Sequence, residues 1–314
     1  MQGIAARTPL VAYETEDRKL WFKPESFQPI GSFKLRGAYN KIASLSEDER
    51  RRGVITYSSG NHAQGVAYSA RALATKAVVV MPRSAPRNKI EATEALGAEI
   101  VPVGPSSAER QAKAEELAAA RGYVIVPPFN DEKIIAGQGT IGLEVLEDLP
   151  DVEVVLVPVG GGGLISGVAT AVKLLHPQAK VIGVEPELAA DAQASLRAGK
   201  IIVWPANDVG RTLADGLRTQ SVGEINFEHI RRYVDDIVTV SEDEIREAMR
   251  RLALEARLVV EPSGAVTSAA FFFHADELPR AQKTVAVISG GNVEAQLLSS
   301  VLEGGWLEAT VNGD

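Results

Sequence analysis

Short apolar runs alternating with stretches of helical periodicity constrain this chain more than any other feature. "VITY" (54–57) ends in "SSGN", and the "HAQGVAYSARALA" that follows has helical spacing. "AVVVM" (77–81) is β-like, "PRNKIEATEALG" reads as a helix closed by Gly97, and "AEIVPV" as the next strand. "SSAERQAKAEELAAARG" opens on the capping pair Ser106 and Glu109 and closes at Gly122, ahead of the strand "YVIV" (123–126). A second series follows: helix "DEKIIAGQGTIGLEVLEDL", buried strand "VEVVLVPV" (152–159), helix "LISGVATAVKLL", strand "AKVIGVEPE" and helix "LAADAQASLRAG". Beyond a less regular stretch around 200–235, "SEDEIREAMRRLALEA" is a capped helix, "TVAVIS" (284–289) a strand and "NVEAQLLSSVLEG" a helix. Such alternation implies βαβ units, parallel sheets and an α/β fold. Two series imply two domains, a small one over 49–130 and a large one over 1–48 and 131–314, with Pro127-Pro128 as the best linker.

Parallel α/β sheets bind ligands beyond the carboxyl ends of their strands. Three runs here end in turns of small residues, "SSGN" (58–61), "GGGG" (160–163) and "SGGN" (289–292), each leading into a helix. Each offers free backbone N–H groups at the positive end of a helix dipole. The same residues build ordinary turns, so the signal lies in having three at equivalent strand ends. "VVLVPVGGGGLISG" is the strongest, since four glycines leave no Cβ in the way of a phosphate. No Gly-Lys-Ser/Thr follows, which excludes a P-loop.

Composition removes other classes. The 314 residues carry a net charge of −8, with no basic stripe to neutralise nucleic-acid phosphates. The one basic cluster, in "ERRRG" (49–53), reads as a solvated helix end. With no cysteine there is no disulfide, thiolate nucleophile or cysteine metal site. Neither a signal peptide nor an 18-residue apolar run is present, so a cytoplasmic protein that does not span a membrane is expected.

"GSFKLRGA" (31–38) places a lysine, Lys34, between Phe33 and Leu35, ahead of a helix-like run. A lysine and one phosphate cradle together suit a cofactor with one aldehyde and one phosphate, and pyridoxal phosphate is such a molecule. A nicotinamide dinucleotide is the rival reading, with Glu185 about 20 residues past the glycines as the ribose-binding acid. Against it, G-x-G-x-x-G started at Gly161 puts Ser166 in the last position, and Lys34 has no role.

"KPESFQPIGSFKLRGA", "SSGNHAQG", "PPFNDEKIIAGQGT", "PVGGGGLISG" and "SGGN" together resemble the fold-type II (tryptophan synthase beta-like) pyridoxal-phosphate enzymes. Within them the chain is most similar to the serine/threonine dehydratase and serine racemase branch. The likeness runs in matching order from "RTPL" (7–10) to "SGGN". The cysteine-synthase branch typically has S-x-K-D-R and T-S-G-N-T-G, whereas this chain has "SFKLRG" and "SSGNHAQG".

The resemblance implies a role for each matching residue. Lys34 is the Schiff-base lysine and base, Phe33 packs beside the pyridine ring, and Asn61 bonds its hydroxyl. Gly160, Gly161, Gly162 and Gly163, with the amide of Leu164, bind the phosphate, and Ser289 faces the ring nitrogen. A hydroxyl there leaves the ring largely neutral, which favours loss of the β-hydroxyl over transamination. Ser58, Ser59, Gly60, Asn61 and His62 grip the substrate carboxylate. Ser59 stands where the racemase carries its second acid–base group; otherwise it merely caps a helix. Glu185, Ala189 and Asp191 in "VEPELAAD" match a divalent-metal loop, whose oxygen ligands suit Mg²⁺ or Ca²⁺; the alternative is a solvated acidic loop. Asp215 and Gly216 in "TLADGL" match a stretch bordering the active site, and Gln138 and Gly139 read as structural. The four histidines show neither zinc spacing nor a catalytic triad.

The implied activity is dehydration of L-threonine or L-serine to a 2-oxo acid and ammonia, by a homodimer. Serine racemisation and 3-hydroxyaspartate dehydration are the alternatives within the family. With no regulatory domain after "SGGN" and the final helix, feedback control is not expected.

Overall fold

A computed structural model describes residues 3–15, 18–58, 60–85, 87–104 and 106–304. The chain opens with strands β1 (Val11–Glu14) and β2 (Lys19–Pro24) and helices α1 (Lys34–Ala43) and α2 (Glu47–Arg52). Then β3 (Val54–Thr56), α3 (Asn61–Ala72), β4 (Ala77–Pro82), α4 (Arg87–Ala95), β5 (Glu99–Val103), α5 (Ser107–Arg121) and β6 (Val124–Ile125) alternate. The second series is α6 (Glu132–Asp148), β7 (Val154–Pro158), α7 (Gly163–Leu175), β8 (Lys180–Pro186), α8 (Asp191–Ala198) and α9 (Ala206–Val209). It continues with α10 (Glu224–Tyr233), β9 (Asp236–Val240), α11 (Glu242–Leu254), α12 (Pro262–Phe273), β10 (Lys283–Ile288) and α13 (Ala295–Glu303).

These strands make two sheets. The larger has the order β1-β2-β10-β7-β8-β9, and only the β1/β2 pair is antiparallel. From β7 the chain steps outward through β8 to β9, whereas β10 lies on the other side of β7. Connections therefore diverge between β7 and β10, and a crevice opens there at the carboxyl ends of the strands. The smaller sheet, β5-β4-β3-β6, is parallel throughout and repeats the device, with divergence between β3 and β6. The tetraglycine and "SGGN" turns leave β7 and β10, and the "SSGN" turn and Pro127-Pro128 leave β3 and β6. Both switch points are thus lined by the motifs that stand out in the sequence.

Alternation along β7 places Val154 and Leu156 in the core on one face of the sheet and Val155 and Val157 in the core on the other. A sheet covered on both faces needs strands that are apolar nearly throughout, as β4, β7 and the Val285–Ile288 part of β10 are. Helix α12 was not legible because it has no polar face: Ser263 to Phe271 are all buried.

Helix α1 packs against α3 and α6 and so touches both halves of the molecule. The α1/α6 crossing is close; a Cβ on Gly137 would lie 2.6 Å from Gly37 Cα. Gln138 is structural, as its neighbours suggest, accepting from Gly37 N at 3.1 Å. The outer side of α1 is tied down by the buried Arg36 guanidinium. It donates to Glu25 Oε2 at 2.7 Å and Oε1 at 2.8 Å, and to Glu144 Oε1 at 2.6 Å. Lys23 Nζ shares Glu144 at 2.7 Å, so two cations meet two carboxylates and no buried charge is left uncompensated.

Candidate active site

Lys34 is the first residue of α1, and its Nζ donates to the Pro128 carbonyl at 2.9 Å. The side chain therefore starts from the larger sheet's half and reaches the loop leaving β6. Removal from water lowers the amine to about 8, opposed by the Glu261 carboxyl. The amine lies 5.1 Å from the centroid of the Phe33 ring. Phe33 N donates to Ser289 O at 3.0 Å, and Ser32 bridges Gly290, so the "SGGN" turn holds the entry to α1.

The "SSGN" turn caps α3. Gly60 precedes the helix, and a Cβ built on it would meet nothing within 4 Å, so this turn faces open space. Gly60 N donates to Ser58 Oγ at 3.4 Å. Asn61 donates to Glu261 Oε1 at 2.7 Å and accepts from Asn292 Nδ2 at 2.7 Å, so both ends of its amide are fixed. His62 is buried, with Nε2 3.0 Å from the Val126 carbonyl, and burial beside Lys34 draws its pKa down to about 3. It is a neutral packing residue that ties the β3 turn to β6. Ser59 lies outside the described residues.

Gly160 to Gly162 form the turn after β7, and Gly163 and Leu164 start α7. Among the described residues none of the amides from Gly160 to Leu164 donates to a protein acceptor. Five backbone donors at the start of a thirteen-residue helix make a site for an anion. The protein's own walls also require these glycines. A Cβ on Gly161 would lie 2.3 Å from the Phe129 ring, one on Gly163 2.9 Å from Phe129 Cβ, and one on Gly162 2.9 Å from Asn226 Cβ. Gly162 has a φ of 91°, in the left-handed region.

Ser289 is buried and donates to the Ser263 carbonyl at 3.2 Å. Glu261, the cap of α12, was missed in the sequence. Its carboxyl is buried, and burial followed by the Asp215 charge pushes it up to about 7. The signal available was an acid directly after the apolar run "LVV" (258–260) and immediately before a proline.

A family profile described as "Pyridoxal-phosphate dependent enzyme" matches residues 1–290. The chain belongs to the pyridoxal-phosphate dependent enzymes. It is 45% identical over 313 residues to the L-threonine ammonia-lyase of Thermotoga maritima, covering 98% of this chain and 77% of that protein. It is 41% identical over 286 residues to the L-threo-3-hydroxyaspartate ammonia-lyase of Saccharomyces cerevisiae, covering 91% and 86%. The solved structure of maize serine racemase superposes with a TM-score of 0.90 at 36% identity, over 98% of this chain and 94% of that one. The fold is thus the fold-type II architecture expected from the motifs.

The site suits the family's cofactor. Unpartnered amides at the head of α7 match a phosphate, and an amine with a lowered pKa matches an aldehyde. The ribose role for Glu185 is not supported. Its carboxylate accepts from Ala192 N at 3.0 Å and Gln193 N at 2.7 Å, at the head of α8.

Asp191 lies beside Glu185, and both are fully buried. Neither carboxylate oxygen of Asp191 makes a well-formed hydrogen bond, although the Asp191 and Val222 amides lie near enough to oppose the rise in its pKa. Burial raises both acids, Asp191 to about 7, and the Asp191 charge lifts Glu185 further. Ala189, also buried, ends the single 3₁₀ turn between them. A buried Asp191 carboxylate without a well-formed hydrogen bond, beside a buried Glu185 whose oxygens each hold only one backbone amide, suits a hard cation.

Proposed function

We propose that this pyridoxal-phosphate dependent enzyme is an ammonia-lyase that converts L-threonine or L-serine to a 2-oxo acid and ammonia. The observation carrying the reading is Lys34: a desolvated amine held where the switch points of both sheets converge. The 45% identity to the Thermotoga L-threonine ammonia-lyase supports the reaction class.

When bound, pyridoxal phosphate supplies an electron sink conjugated to the substrate's α-carbon. Gly160, Gly161, Gly162, Gly163 and the Leu164 amide would hold its phosphate, and Phe33 would flank the ring. Asn61 keeps one amide hydrogen beyond the one given to Glu261, and this would reach the ring hydroxyl. Ser289 would face the ring nitrogen without bringing a charge. The substrate carboxylate would sit on the turn from Ser58 to His62, where Gly60 leaves room.

Lys34 in its neutral form takes the α-proton, and the depressed pKa makes that form accessible near neutral pH. The β-hydroxyl leaves with one proton as water, which balances the α-proton gained by Lys34. Hydrolysis of the released enamine consumes one water and gives the 2-oxo acid and ammonia. His62, neutral and bonded to a carbonyl, holds the turn rather than moving protons.

Residues 49–130 would act as a small domain closing on 1–48 and 131–314. A divalent cation, Mg²⁺ or Ca²⁺, would bind Glu185, Asp191 and the Ala189 carbonyl as a structural ion. A cytoplasmic homodimer acting on free amino acids completes the proposal. No helix among the described residues is long and apolar enough to cross a membrane.

The likeness to maize serine racemase favours a second reading, racemisation with Ser59 as the opposite-face group. A panel of serine, threonine, 3-hydroxyaspartate and phenylserine, assayed for 2-oxo acid and separately for inverted enantiomer, decides between them. Formation of 2-oxo acid from threonine or serine is the expected result. Inversion alone, lost in Ser59→Ala, would make the enzyme a racemase, and preference for 3-hydroxyaspartate would assign it to that lyase activity.

A further inference from the structure

One contact between the two halves has no task in the reading above. Lys89, on α4 beside the smaller sheet, donates to Asp215 Oδ2 at 2.8 Å. Asp215 opens the 3₁₀ turn Asp215–Leu217 on the other half. That turn is wedged into the cofactor site. Gly216 N donates to Ser263 Oγ at 2.9 Å, and Ser263 in turn accepts the Ser289 hydroxyl on its carbonyl. A Cβ on Gly160 would lie 3.2 Å from Leu217 Cα, so the turn also backs the tetraglycine loop.

A second polar contact spans the same halves deeper in the cleft, from Asn61 on α3 to Glu261. The two contacts act on each other: the Asp215 charge pushes Glu261 up and Lys89 opposes it. They differ in burial. The Asn61 contact ends on a buried carboxyl, whereas the Lys89 and Asp215 side chains are 22% and 44% exposed. A half-exposed ion pair is weak and screened by salt, as suits a contact that opens at each turnover.

We propose that Lys89 and Asp215 are positioning residues whose ion pair closes the half bearing the "SSGN" turn onto the tetraglycine loop and Glu261. The inference rests on the proposed function for the closing small domain and for where substrate and cofactor are held. On that reading the substrate carboxylate is gripped from one half and the cofactor from the other, so closure sets how tightly substrate is held more than how fast it reacts.

Because the chain has no cysteine, Glu116→Cys on α5 and Glu228→Cys on α10 introduce a single pair of spin-label sites, one per half. Those glutamates are 63% and 67% exposed. In the full chain, with and without pyridoxal phosphate, Asp215→Asn and Lys89→Met should broaden the inter-label distance distribution toward longer values. In turnover, each should raise KM about threefold while kcat changes less, and salt should raise KM only when the pair is intact. The reversed pair, Lys89→Asp with Asp215→Lys, should recover both the narrow distribution and the KM. Distances unchanged in both single variants, or a reversed pair no better than either, would overturn the proposal. If the distances shift as expected but no β-hydroxy amino acid is turned over, the functional reading fails and the closure assignment stands.

Discussion

The Asn61 amide donates to Glu261 Oε1 at 2.7 Å, joining the first turn of α3 to the cap of α12. The Glu261 carboxyl is held at about 7 by burial and by Asp215, against an ordinary value of 4.5. Between those two values the native state keeps a proton that the unfolded chain has lost. Stability therefore falls as pH rises through the window. Glu261→Gln should remove this slope. Relative to wild type, the variant should gain about 1–3 kcal/mol between pH 4.5 and 7.5, read by urea denaturation at each pH. A parallel pair of stability curves would contradict the assignment.

The depressed Lys34 amine gives a kinetic expectation. A neutral amine attacks an aldehyde and an ammonium does not, so capture of the non-phosphorylated aldehyde pyridoxal by the cofactor-free protein should accelerate as pH rises and level off above about 8. Stopped-flow absorbance reads this directly. Acceleration continuing to the ordinary lysine value of 10.5 would show that the amine is not desolvated.

Much of this site was legible because its parts lie at ends of strands. "GGGG", "SSGN" and "SGGN" mark the carboxyl ends of β7, β3 and β10, and those strands announce themselves by continuous apolar runs. Their convergence followed only from the family resemblance and not from periodicity, because it depends on strand order: β10 inserts beside β7, and β6 beside β3. Glu261 escaped because α12 has no amphipathic pattern to locate its cap. β1 and β2 escaped because a short edge ribbon such as "VAYE" and "KLWFKP" mixes charged and apolar residues. The glycine turn was read as open space for a ligand, yet Phe129 and Asn226 crowd it from behind.

That crowding can be tested. Gly161→Ala places a methyl 2.3 Å from the Phe129 ring and must shift the turn, so affinity for pyridoxal phosphate should fall at least about tenfold. Gly60→Ala meets open space, so it should leave cofactor affinity intact and raise KM for the amino acid. Equal cofactor affinity in Gly161→Ala and wild type, by fluorescence titration, would remove the phosphate from this loop.

If Glu185 and Asp191 hold the proposed cation, stability should depend on cations in a pH-specific way. Burial raises both acids, Asp191 to about 7, so at acid pH the pair is protonated and would bind a cation poorly; as pH rises and charge develops, a bound cation would offset the repulsion between them. Millimolar Mg²⁺ or Ca²⁺ should raise Tm at pH 8 by several degrees and at pH 5.5 by much less. Asp191→Asn should abolish the increment. A Tm indifferent to both ions at pH 8 would leave the two acids as a purely structural pair.

The most direct measurement is borohydride reduction of the pyridoxal-phosphate-loaded protein followed by peptide mass mapping. The phosphopyridoxyl mass is expected on the peptide containing Lys34 and on no other lysine. Its appearance on a different lysine, or no stable adduct at all, would contradict the assignment of Lys34 as the covalent anchor.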